Sequence, residues 1–311
     1  MLSLILEVLA RALPFFLLVG AGVTLARLQL FDGRMAQGLS AYVYWIGFPA
    51  LLVHSLSRMG RPGHDLTLGL AAYAGCLAAI MALMVGAGLL LRWTREERAG
   101  TAMAAGVGNS AFLGLPVAAA VFGPEIARLG AGLVAVDFVL ATALGVALLG
   151  WAGGRSVWRS TMQAFRNPIV AAALFGASLA LLGLQLPGVL DRAVGAAAAS
   201  GSPVALVALG VVLALPVEGD IPAPRWSPVV VAAIAKLLVL PALVWIVVGL
   251  TPAPAAFRLA ATLLAATPTA VNVFIQTRAY AVFARGGARI VALTTVIACV
   301  TLSATAVWLK S

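Results

Sequence analysis

Charge is scarce in this chain. Of its 311 residues only 10% are charged and 63% are hydrophobic, where an ordinary soluble domain carries roughly 25% charged residues. So few charges cannot cover a water-facing surface, and the apolar excess must face lipid. Histidine and cysteine are nearly missing, at two each. Cys76 and Cys299 lie inside apolar segments, without disulfide or metal spacing, and read as small buried hydrophobes. His54 and His64 fall at or near a loop and read as surface residues. An intramembrane aspartyl protease needs two carboxylates, and a zinc protease needs His-Glu-x-x-His. Neither pattern occurs, so an enzyme is not expected. No soluble basic domain is present to bind nucleic acid. The net charge of +10 reads instead as anchoring of cytoplasmic loops. The alternating segments of about 10 residues that mark a membrane β-barrel are absent too.

What is present is a series of Ala-, Leu-, Val- and Gly-rich runs, several long enough for the roughly 20 residues that a spanning helix needs. They predict an all-α membrane protein of ten spans, near 8–27, 37–57, 67–91, 98–122, 129–151, 167–184, 188–214, 226–250, 256–283 and 287–309. Breaks fall at Arg27 to Arg34, Arg58 to Asp65, Arg92 to Arg98, Arg155 to Arg166 and Glu218 to Arg225. Glu7 precedes Arg11 and no small-residue cleavage site follows, so the first run reads as a retained helix.

Basic residues orient the chain. The loops after odd-numbered spans hold Arg27, Arg34, Arg92, Arg95, Arg98, Arg155, Arg159, Arg166, Arg225, Arg278, Arg285 and Arg289. The other side holds Arg11, Arg58, Arg61, Arg128, Arg192, Arg258 and Lys310. The positive-inside rule then puts both termini outside the cytoplasm. A faint internal repeat accompanies this plan. Leu28-Gln29-Leu30 matches Leu184-Gln185-Leu186, Pro49 matches Pro203, and Arg98 matches Arg258. Five spans is an odd number, so the second repeat (156–311) must enter the membrane upside down relative to the first (1–155). Secondary transporters recurrently use that arrangement.

Two segments interrupt the apolar runs at mid-span. The fourth span holds Gly106-Val107-Gly108-Asn109-Ser110-Ala111-Phe112-Leu113-Gly114-Leu115-Pro116, and the ninth Thr267-Pro268-Thr269-Ala270-Val271-Asn272-Val273-Phe274-Ile275-Gln276. Proline lacks an amide hydrogen and displaces the carbonyl four residues back. Pro116 therefore frees the carbonyl of Phe112, and Pro268 that of Leu264. Such breaks survive in lipid only where protein or water receives the freed groups. Broken helices also expose N-termini worth about half a positive charge each, and two of them converging would hold a carboxylate. Asn109, Ser110, Gly114, Pro116, Thr267, Pro268, Thr269, Asn272 and Gln276 are the candidate substrate-binding residues.

The run Asn109-Ser110-(Ala-Phe-Leu)-Gly114-Leu115-Pro116 resembles the Asn-Thr-x-x-x-Gly-x-Pro of the auxin efflux carrier family, which includes the plant PIN proteins and bacterial malate and malonate permeases. Pro268, Phe274, Arg278 and Tyr280 fall at the family's Pro, Phe, basic and Tyr positions. Pro49, Pro203, Lys236 and Pro241 fit the same ten-helix plan, which covers the whole chain. Two departures stand out: Val273 beside Asn272 replaces a second proline of the plant members, and their long cytoplasmic loop shrinks to about 152–166. The resemblance implies the inverted-repeat fold of bile-acid symporters and Na⁺/H⁺ antiporters. It implies a dimerising scaffold of helices 1, 2, 6 and 7 (about 8–57 and 167–214). Helices 3–5 and 8–10 (about 67–151 and 226–309) would then form a domain that moves like an elevator. It implies a carrier of small organic anions, mono- or dicarboxylates or auxin-like aromatic acids, in the bacterial inner membrane. A cation/proton antiporter of the same fold and a non-transporting membrane sensor are the alternatives.

Only Asp137 and Lys236 place a charge well inside a span, at a cost of at least about 2.5–3.5 kcal/mol near the bilayer centre. Lys236 could neutralise a substrate carboxylate, replace a coupling cation or cap free carbonyls. Asp137 could couple transport to protons or pair with Lys236. No bound cofactor is expected; H⁺ or Na⁺ is the candidate coupling ion.

Overall fold

A run of small and branched aliphatic residues leaves the backbone as its main polar group, and in lipid a helix satisfies that backbone internally. The computed structural model describes residues 2–58, 63–154, 168–215 and 225–311, and they form helices throughout. Arg61, Arg155, Arg159, Arg166 and the Glu218 end of the last break lie outside the described residues. In chain order the helices are α1 (Leu2–Arg27), α2 (Gly33–Ser57), α3 (His64–Leu90), α4 (Arg95–Gly106), α5 (Ser110–Phe122) and α6 (Pro124–Ala152). After them come α7 (Pro168–Leu182), α8 (Gly188–Ala214), α9 (Trp226–Gly249), α10 (Ala255–Ala265), α11 (Val271–Ala279) and α12 (Ala284–Lys310).

Seven of them, α1, α2, α3, α6, α8, α9 and α12, are long and apolar enough to cross a bilayer, while α5, α7 and α10 are shorter apolar helices. The expected fourth span is thus two helices, α4 and α5, parted by three residues. The ninth is likewise α10 and α11. It ends early because Ala281 and Phe283 take left-handed φ values of 54° and 53°, so α12 starts at Ala284 rather than 287. Thr94 and Glu97 cap α4 reciprocally, each side chain accepting the other's backbone N–H at 3.2 and 2.9 Å. This fixes where the fourth span enters.

Small residues set the closest packing. A Cβ added at Gly22 of α1 would lie 2.1 Å from the Val207 carbonyl oxygen of α8, and one at Gly210 of α8 2.0 Å from that of Val19. The α2 and α8 backbones meet at Gly47 and Gly201, where a Cβ on Gly47 would come 2.9 Å from the Gly201 Cα. Without a hydrophobic drive between helices in lipid, such close approach supplies the cohesion. Leucine at Gly22 is expected to wedge α1 off α8 and cost roughly 1–3 kcal/mol or more. A lowered melting temperature in detergent would report it, and an unchanged one would deny the contact.

Four helices carry one wide turn in which an amide bonds to the carbonyl five residues back. The turns span Val43–Gly47, Ser110–Gly114, Asp137–Ala141 and Ala235–Val239. Three have a local cause. Pro49, Pro116 and Pro241 each follow two residues beyond, and the wide turn absorbs the missing donor and ring clash of proline. The turn at Asp137 has no such proline.

Candidate functional site

At the break in the fourth span the chain leaves the helix for Val107 to Asn109, and at the ninth for Pro268 to Ala270. The two stretches run antiparallel and pair, Gly108 opposite Thr269. The Asn109 amide donates to the Pro268 carbonyl at 2.7 Å, and the Ala270 amide donates to the Val107 carbonyl at 3.1 Å. Only glycine fits at 108, because a Cβ there would lie 2.7 Å from Thr267 Oγ1 and 2.8 Å from Lys236 Nζ.

The carbonyls freed by the two prolines, and others beside them, find partners at this crossing. Thr267 Oγ1 donates at 2.6 Å to the Leu264 carbonyl, the one Pro268 strips of its donor. Ser202 Oγ, reaching from α8, donates at 2.6 Å to the Phe112 carbonyl, the one stripped by Pro116. Lys236 Nζ, itself fully buried, donates at 2.7 Å to the Ala265 carbonyl at the end of α10. Thr269 Oγ1 donates to the Ala104 carbonyl at 2.9 Å, while its amide donates to Thr294 Oγ1 of α12 at 3.1 Å. A carbonyl left open in hydrocarbon would cost several kcal/mol. Here the hydroxyls and one ammonium take that cost away. Ser202→Ala should reopen the Phe112 carbonyl and destabilise this arrangement by about 1–3 kcal/mol. Thermal unfolding in detergent would measure that loss.

A small, partly open cavity of about 70 Å³ adjoins the crossing. Gly108, Asn109, Ala111 and Phe112 line it from one broken span, and Ala270, Val271, Asn272 and Ile275 from the other. The N-termini of α5 and α11 both meet it, so their first amides have no partner within the helix. Ser40, Val43, Tyr44 and Phe48 of α2, Phe138 of α6, and Ala205, Ala208 and Leu209 of α8 complete the wall. Phe48 stacks edge-on against Phe112 and Phe138, both ring centroids 4.1 Å away. Among the described residues no charged side chain lines the cavity; the polar ones are Ser40, Tyr44, Asn109 and Asn272. Asn272 Nδ2 is buried and has no hydrogen-bond partner.

Of the residues expected from the sequence, Asn109 and Asn272 face this space together. Thr267, Pro268 and Thr269 build the crossing behind it. Ser110 is fully buried beside Asn109, its hydroxyl unpartnered. Gly114 is packed against Thr267 Cγ2, where a Cβ would come within 2.9 Å. Pro116 faces a second cavity, and Gln276 is not part of the lining. Lys236 and Asp137 are both buried but form no direct ion pair; Asp137 instead accepts from Tyr73 Oη at 2.8 Å. The aromatic wall and Ser202 escaped the sequence reading, since Phe and Ser in an apolar span look like ordinary packing.

The second, wider cavity lies on the far side of Ala111 and Phe112, and it holds His54, Arg58, Glu125 and Arg128. His54 lies in the last turn before the end of α2, near the loop as expected, but it is partly buried. It faces Asp191 of α8, which also pairs with Arg58.

A family model described as membrane transport protein matches residues 7–308. A search of curated proteins found no match.

Proposed function

We propose that this chain, which belongs to the membrane transport family of the auxin efflux carriers, is a secondary carrier whose cavity at the crossing binds small organic anions. It is a multi-pass integral membrane protein, a transporter and not an enzyme. The observation that carries the proposal is the meeting of two half-helix N-termini with Asn109 and Asn272 in a cavity free of fixed charge. Unpaired amides and about half a positive charge per helix end favour a carboxylate. Lys236, behind Gly108, adds a compensating charge without occupying the cavity. The rings of Phe48, Phe112 and Phe138 suit an apolar or aromatic body, which favours monocarboxylates over dicarboxylates because a second carboxylate would lie against those rings.

The finer architecture belongs to the same proposal. With α4–α5 and α10–α11 counted as one span each, the chain has ten. The paired breaks relate by a constant offset, Val107 and Asn109 standing to Pro268 and Ala270 as repeat mates, which supports two inverted five-span repeats. Packing supports it too: Gly22 brings α1 onto α8, and Gly176, in the mate of α1, brings α7 onto α2. In this scheme α1, α2, α7 and α8 are the scaffold and dimer face, and the remaining helices carry the crossing between membrane sides by an elevator movement. With basic loops inside, the crossing cavity opens toward the cytoplasm and both termini lie outside. A cation/proton antiporter would need acids at the crossing, where Asp137 stands alone.

Purified protein in liposomes should exchange labelled monocarboxylates by saturable counterflow, with aryl-substituted acids such as indole-3-acetate preferred over malate and malonate. Absence of binding and flux across that panel would defeat the carrier proposal.

A further inference from the structure

Asp137 is a buried acid that the anion site leaves unexplained. Its carboxyl is 2% exposed. One oxygen accepts the Tyr73 hydroxyl at 2.8 Å, while Oδ2 has no hydrogen-bond partner. Ser110 Oγ is fully buried, makes no hydrogen bond of good geometry, and lies near enough to this carboxyl to act on it. The residue opens the only wide turn, among the described residues, that no proline explains, and such turns concentrate where function requires an irregular backbone. Ser110 is the first residue of α5 and the neighbour of Asn109. The carboxyl is therefore one side chain away from the anion cavity.

Other ionisable groups around Asp137 are few. Tyr73 and Cys76 come from α3, and Lys236 from α9 acts on it through space without pairing. From α4 and α7, which also pack against this turn, no titratable group reaches it. An ionised carboxylate with an unbonded oxygen is costly in such surroundings. One hydrogen shared between Oδ2 and Ser110 Oγ would satisfy two buried atoms that now lack partners.

We propose that Asp137 is a proton-binding site coupled to the anion site, so that one proton and one anion are bound together. This rests on the carrier proposal for its anion arm. A proton from solvent joins Asp137 Oδ2, and only an O–H bond forms. The acid then donates to Ser110 Oγ while Tyr73 continues to donate to Oδ1. When the proton leaves, the Ser110 hydroxyl turns and donates to the carboxylate, so its rotation exchanges one satisfied arrangement for another. An anion next to Asn109 repels the carboxylate form and favours the acid. By linkage the proton favours the anion equally. A monoanion that crosses with this proton moves no net charge.

Infrared titration of the anion-free protein tests the proton site without any substrate. The carbonyl stretch of a buried protonated carboxyl should appear at acidic pH, vanish as pH rises, and be missing in Asp137→Asn. In Ser110→Ala the band should persist but shift, because the acid has lost its acceptor. A band unaffected by Asp137→Asn, or no titrating band at all, would overturn the proposal. Calorimetric binding of indole-3-acetate in buffers of differing ionisation enthalpy tests the coupling. The wild type should take up about one proton per anion on the alkaline side of the titration. Its affinity there should fall toward the limit of about tenfold per pH unit that one linked proton sets. Asp137→Asn should take up none, with an affinity independent of pH. Anion binding without proton uptake in the wild type would refute the coupling. Silence toward every anion, with the infrared band intact, would refute the carrier proposal and leave the proton site standing.

Discussion

Alanine at Asn109 is expected to weaken anion binding by roughly 10- to 100-fold while leaving the fold in place. The two roles of this residue are separable. Its backbone amide makes the 2.7 Å bond to Pro268 that ties the broken spans together, and its carbonyl accepts the amides of Leu113 and Gly114; alanine keeps all three. Only the side-chain amide, which faces the cavity, is lost. A hydrogen bond to a charged partner is worth about 1.5–3 kcal/mol, which gives the stated factor. Asn272→Ala should act in the same direction, and its Nδ2 has no other hydrogen-bond partner to lose. Equilibrium binding, with melting temperature as the control for folding, would decide the point. Unchanged affinity in both variants would move the anion elsewhere.

Valine at Gly108 should be worse, because it acts on the crossing itself. Its Cβ would intrude on Thr267 Oγ1 and Lys236 Nζ, at 2.7 and 2.8 Å. Neither atom can simply move aside. Thr267 Oγ1 holds the Leu264 carbonyl and Lys236 Nζ the Ala265 carbonyl. Displacing Lys236 leaves a buried ammonium without its carbonyl, a loss of about 1–3 kcal/mol or more, and the wedge itself adds about 1–3 kcal/mol. Flux should vanish, and the melting temperature should fall well below that of Asn109→Ala. Gly38→Val is the control, since a Cβ there meets nothing within 4 Å. A Gly108→Val protein with wild-type stability and flux would mean that the two chains do not need this close approach.

Much of this site was legible in the sequence because proline and glycine act through the backbone, whose rules are local. Pro116 and Pro268 announced which carbonyls would be freed, and both need an outside donor where they stand. The donors were harder to foresee. Thr267 could be read locally, but Ser202 arrives from 90 residues away, and nothing in an apolar run marks one serine as facing a distant carbonyl. Lys236 was a clear oddity whose partner could not be named, since an ammonium meets a carbonyl, a carboxylate or a ligand equally well by composition alone. It holds the Ala265 carbonyl and forms no ion pair with Asp137. The aromatic wall shows the same limit. Phe48, Phe112 and Phe138 come from three helices and meet only through tertiary packing. Helix ends shifted for a local reason as well: the left-handed residues Ala281 and Phe283 are not glycines, so the turn before α12 left no sign in the residue types.

The central claim, that an anion sits where the two interrupted spans meet, is tested most directly by a cryo-electron microscopy map of the protein with a brominated indole-3-acetate. The carboxylate should lie against Asn109, Asn272 and the first amides of α5 and α11, with its ring among Phe48, Phe112 and Phe138. Density only in the wider cavity, on Arg58 and Arg128, would contradict it.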